Sequence, residues 1–105
     1  MEKEVLAYIA RFTDYGRREQ VIDCFMNGCC ARFAMDLCQR FYPAATMMYC
    51  EKVNHFGARI CDRVYDITGD VTDKYEWETW AGFAVREPGM AGNIHVHCIL
   101  MEGRV

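Results

Sequence analysis

No stretch of this chain approaches the roughly 20 apolar residues needed to cross a bilayer. Its opening, MEKEVLAYIARF, carries charges where an export signal is uninterrupted and apolar. These absences lead us to expect no membrane and a cytoplasmic location. Proline is scarce, two residues in 105, and no internal repeat or low-complexity linker marks a boundary. A chain of this length is therefore expected to form a single domain, 1–105, around one core. An excess of basic charge is also missing: the net charge is −3, which argues against direct nucleic-acid binding.

Cysteine, in contrast, is abundant. Seven occur, at 24, 29, 30, 38, 50, 61 and 98. Their odd number and the missing export signal favour reduced thiols or metal ligands over a disulfide scaffold. Apolar residues make up 52% of the chain and charged residues 26%, a globular composition. The charge is uneven, with eight basic and seven acidic residues in 1–59 but four basic and eight acidic residues in 60–105. A basic protein surface is thus a better expected partner than DNA or RNA.

Periodicity predicts a short N-terminal helix over 3–12, with Val5, Leu6, Ile9 and Phe12 at helical spacing. A stronger helix is predicted over 29–41. There Cys30, Phe33, Ala34, Leu37, Cys38 and Phe41 share a face, Asn27 or Gly28 can cap the start, and Pro43 closes the end. Beyond the proline, 46–53, 55–60 and 63–68 read as strands of an antiparallel meander, and 94–101 as a further strand. The aromatic and acidic stretch 75–80 reads as one helical turn, and 87–89 as a turn. The expected fold class is α+β, a central helix beginning at the Cys29/Cys30 turn and packed on a small antiparallel sheet.

The first turn of the central helix carries a thiol, and unpaired backbone amides with the helix dipole stabilise a thiolate there. His55 follows twenty-five residues later and Asp66 eleven beyond that, each on a predicted strand. A thiol, a base within reach and an acid orienting that base are what nucleophilic cysteine catalysis requires. The plain packing alternative is a small core cysteine at Cys30 beside a structural His–Asp pair.

The stretches Gly28 to Ala34, His55-Phe56 and Tyr65 to Gly69 resemble a family of small phage and mobile-element proteins of gut bacteria. The layout is similar to a pared-down papain-like cysteine hydrolase core. That resemblance implies Cys30 as nucleophile, His55 as base and Asp66 as orienting acid, in a cysteine peptidase or amidase. The Gln that papain-like enzymes carry about six residues ahead of the nucleophile is absent: position 24 is Cys, and the nearest Gln is Gln20. In size, and in an expected zinc, the chain also resembles anti-CRISPR inhibitors of gut metagenomes.

A second constellation is Cys24 and Cys29, a C-x4-C turn, with His95 and His97 on one strand face. Two thiolates and two imidazoles make a closed, structural zinc set. A third is the acidic face Asp62, Asp70, Asp73, Glu76 and Glu78 with Trp77 and Trp80. Exposed, these would anchor a basic partner surface; packed, the two Trp would cap the sheet edge. The expected function is an anti-CRISPR-like interaction protein that binds and inhibits a host RNA-guided nuclease and carries a structural zinc. The alternative is the cysteine hydrolase.

Overall fold

The computed structural model describes residues 1–13, 20 and 30–92. Helix α1, Glu2–Thr13, turns Val5 and Ile9 fully inward, while Leu6 remains 39% exposed. The inward stripe is therefore narrower than the predicted one. Helix α2, Cys30–Arg40, buries Cys30, Ala31, Phe33, Ala34 and Leu37 on its sheet-facing side. The two helices are joined by the Tyr8 hydroxyl, which donates to Asp36 Oδ2 at 2.7 Å, and by the edge-on packing of Phe12 against Phe33 at 5.2 Å.

The sheet has strand order β4-β3-β2-β1-β5 and is antiparallel throughout, with β1 Ala45–Cys50, β2 His55–Ile60, β3 Arg63–Asp66, β4 Gly69–Asp70 and β5 Glu78–Thr79. Side chains alternate across it as the pleat demands. Phe56 packs with Cys30 and Ala34, and Ala58 and Ile60 with Phe33 and Leu37, so these three residues of β2 meet α2. Met48 and Val64 pack instead with Val71, Tyr75 and Trp77. An α+β fold with a central helix on an antiparallel sheet is what the sequence pattern predicted. The predicted strand 94–101 lies outside the described residues.

Three local readings are corrected. The predicted strand 46–53 ends at Cys50, and Glu51–Val53 form a single 3-10 turn closed by Asn54 in the left-handed region, φ 49°. Asn tolerates that conformation, and its Oδ1 accepts from the Tyr49 hydroxyl at 2.7 Å. Stretch 75–80 is not a helical turn. Glu78–Thr79 pair with Tyr49 and Met48 as an edge strand, and helix α3, Trp80–Arg86, starts only after Thr79, whose hydroxyl accepts from the Gly82 N–H at 3.1 Å. The Trp77/Trp80 spacing imitates a helical period across this strand-to-helix junction. Finally, 88–92 is helical, with Pro88 in its first turn, where a missing N–H costs nothing.

Gly57 permits the closest approach in the sheet. A Cβ there would lie 2.9 Å from Val64 Cγ1, 3.0 Å from Trp77 Cη2 and 3.1 Å from the Tyr65 carbonyl oxygen. Replacing Gly57 by Ala should therefore cost about 1–3 kcal/mol through overpacking. Gly89→Ala, with open space around its Cβ, should be neutral or stabilising. Urea unfolding of the two variants checks this.

Candidate functional site

His55 opens β2 and Asp66 closes β3, and the register that pairs Ala58 with Tyr65 brings them to the same end of the sheet. His55 Nε2 lies 2.8 Å from Asp66 Oδ2, with His55 only 4% and Asp66 2% exposed. An ionised carboxylate can only accept, so the proton sits on Nε2. The other carboxylate oxygen, Oδ1, accepts from the Thr68 backbone N–H at 2.7 Å and from the Thr68 hydroxyl. The turn after β3 thus holds the acid through the oxygen that His55 leaves free.

Asp66 occupies Nε2, which leaves Nδ1 for the third member. Cys30, the first described residue of α2, is buried in one cluster with Phe56, and its thiol and the His55 imidazole each shift the other's titration. Burial pushes the Cys30 thiol up, but the His55 hydrogen bond, the Phe56 N–H, the His55 charge and the Ala31 N–H outweigh it and bring it below its ordinary value of 9.0. Burial likewise opposes protonation of His55, yet the bonds to Asp66 and Cys30 and their charges push its pKa from 6.5 to about 9. Asp66 is raised by burial and lowered more by His55 and Thr68, ending below 3.8. The three groups together favour a thiolate, an imidazolium and a carboxylate.

Aromatic rings close over the base. The His55 ring lies 5.2 Å from Tyr75 and 5.9 Å from Trp77 between centroids, and the Trp77 Nε1–H donates to the Val71 carbonyl at 3.1 Å. Sequence reasoning missed Thr68, Gly57 and Tyr75 as parts of this site. The Asp66-x-Thr68 spacing was the available signal for the first, since Asp side chains commonly accept from the residue two positions on.

The structure brings Cys30, His55 and Asp66 together. Cys24, Cys29, His95 and His97, the predicted zinc set, lie outside the described residues, and among the described residues no three His, Cys, Asp or Glu side chains converge as a metal site. Gln20 is exposed. On the predicted acidic face, Asp62 and Glu76 are exposed. Asp70 is held by Arg63 at 2.7 Å, Asp73 lies 3.7 Å from the same guanidinium, and Glu78 pairs with Arg86 at 2.9 Å. Trp77 and Trp80 are half-buried rather than projecting: Trp80 packs on Tyr49, Phe56 and Phe83. Comparison with protein-family models, with curated proteins and with solved structures finds no match.

The pKa shifts fix the sign of a pH dependence. Asp66 is depressed, so its contribution to stability is present above pH 3.8 and is lost as pH falls through its folded value. His55 is raised, so its contribution is full below pH 6.5 and is lost as pH rises through about 9. Cys30, lowered, titrates with the opposite sign as the pH approaches 9.0. In Cys30→Ser that opposing titration is gone, and so are the Cys30 hydrogen bond and charge that help to raise His55, so unfolding free energy should decline above pH 6.5 and level off before pH 9. A flat profile would mean that His55 folds neutral. His55→Ala, which strands a buried carboxylate, should cost about 3–5 kcal/mol in a denaturant titration at neutral pH.

Proposed function

We propose that the chain is a cysteine-dependent acyl hydrolase, with Cys30 as nucleophile, His55 as acid–base and Asp66 as the group that orients and charges His55. The observation that carries this reading is a buried imidazole bound through Nε2 to a buried carboxylate and near enough to the buried Cys30 for each to shift the other's pKa. A core cysteine needs only apolar neighbours; an imidazolium at its side serves a thiolate.

In the proposed reaction the Cys30 thiolate attacks the acyl carbon of an amide, the C–S bond forms, and the carbonyl π pair moves onto oxygen. The tetrahedral intermediate collapses by expelling the amine, which takes the proton from His55 Nδ1, and leaves a thioester on Cys30. The now neutral His55 takes a proton from water as that water attacks the thioester. Collapse returns the thiolate and releases the carboxylic acid. Asp66 keeps its negative charge throughout and holds the Nε2 proton in place.

Inhibition of an RNA-guided nuclease by binding is the competing proposal. It draws on the acidic face, where Arg63 and Arg86 already answer Asp70, Asp73 and Glu78. Less charge is therefore free to meet a basic partner.

One pair of variants separates the two readings. At pH 7 Cys30 should react with iodoacetamide well ahead of the exposed Cys61, and His55→Ala should slow that labelling by roughly a hundredfold. Cys30→Ser should abolish any peptide or amide hydrolysis, by about a thousandfold or more. Uniform slow labelling of all thiols, or nuclease inhibition that survives Cys30→Ser, would favour binding over catalysis.

A further inference from the structure

The buried triad leaves almost no surface of its own to hold a substrate: Cys30, the most accessible member, is 9% exposed. The bulk of any substrate must rest on neighbouring surface. An open groove of about 620 Å³ is lined by Glu51, Lys52, Glu76, Trp77, Glu78 and Arg86 and by none of the three triad residues. It shares a wall with the catalytic base, because Trp77 lines the groove and also packs on the His55 ring. Its other rim is the 3-10 turn Glu51–Val53, which leads within two residues to His55.

The groove's charges are not equivalent. Arg86 Nη2 is bound by both Glu51, at 3.2 Å, and Glu78, at 2.9 Å, so this cation already has two carboxylate partners. Glu76 is exposed beside Trp77, and the described residues give it no cationic partner. A carboxylate next to a half-exposed indole is a pairing that attracts a cationic side chain, by Coulomb attraction and by the negative face of the ring. Lys52, on the opposite rim, opposes it.

We propose that this groove is the substrate cleft of the Cys30 site and that it selects an extended peptide carrying Lys or Arg beside the reacting carbonyl, with Glu76 and Trp77 as the selecting residues. The inference rests on Cys30 being the nucleophile and adds the substrate class.

The full chain should be treated with iodoacetamide and, separately, with chloroacetyl-lysine amide, chloroacetyl-norleucine amide and chloroacetyl-glutamate amide. Each labels the Cys30 sulfur with loss of halide, read by mass spectrometry of the Cys30 peptide. Each probe rate is divided by the iodoacetamide rate of the same variant. The lysine probe should exceed the norleucine probe by roughly three- to tenfold, the scale of an exposed cation–π contact joined by one ion pair, and the glutamate probe should be slowest. Glu76→Gln should remove most of the lysine advantage, and Lys52→Glu should enlarge it. Both positions are exposed, so both variants should fold, which circular dichroism verifies. Prompt iodoacetamide labelling of Cys30 with equal rates for the three probes, or a lysine preference unmoved by both substitutions, overturns the assignment of the groove. Failure of iodoacetamide itself to prefer Cys30 overturns the nucleophile, and the groove's role with it.

Discussion

The buried bond between His55 Nε2 and Asp66 Oδ2, at 2.8 Å, is the constraint around which the rest of the site is arranged. Two ionised groups this deep are costly to desolvate, and that cost is met only if every remaining lone pair and proton finds a partner. Thr68 supplies two donors to Asp66, and the Cys30 thiol further favours the charged imidazole of His55. Among the described residues no buried side-chain nitrogen or oxygen lacks a hydrogen bond. The network is complete, and completeness is what lets the imidazole hold its proton up to about pH 9.

The same constraint explains the packing on that side of the sheet. Tyr75 and Trp77 pack on the His55 ring, and Trp77 lies so close to Gly57 that a Cβ there would stand 3.0 Å from it. Trp77 is in turn anchored by its indole N–H on Val71. The opposite face follows ordinary core rules, with Phe33, Leu37 and Ile60 each 2% exposed or less. The His–Asp pair thus lies on the face that also carries the Met48, Val64 and Val71 cluster, opposite the face covered by α2.

Much of this layout was legible in the chain. The α2 stripe of Cys30, Phe33, Ala34 and Leu37 has a 3.6-residue period that no strand satisfies, and the three strands after Pro43 alternate with short turns between them. The candidate triad was legible because a thiol at a helix start, a His and an Asp are chemically suited to one another. Their meeting was not, since periodicity carries no information on register: a shift of one residue between β2 and β3 would place Asp66 on the face opposite His55. Residues 75–80 misled because Trp77 and Trp80 are three apart for two unrelated reasons, one ring covering His55 and the other opening α3 and packing on Tyr49 and Phe56.

By itself the sequence determined the fold class, the helix that presents Cys30 and the chemical kinds of side chain available, because these follow from local period, propensity and functional group. Tertiary structure alone decided that Asp66 meets Nε2 rather than Nδ1, that Thr68 and Gly57 belong to the site, and that Asp70, Asp73 and Glu78 are answered by Arg63 and Arg86. Each of these depends on distances across strands that are far apart in the chain, and such distances are set by register and close packing rather than by any local pattern.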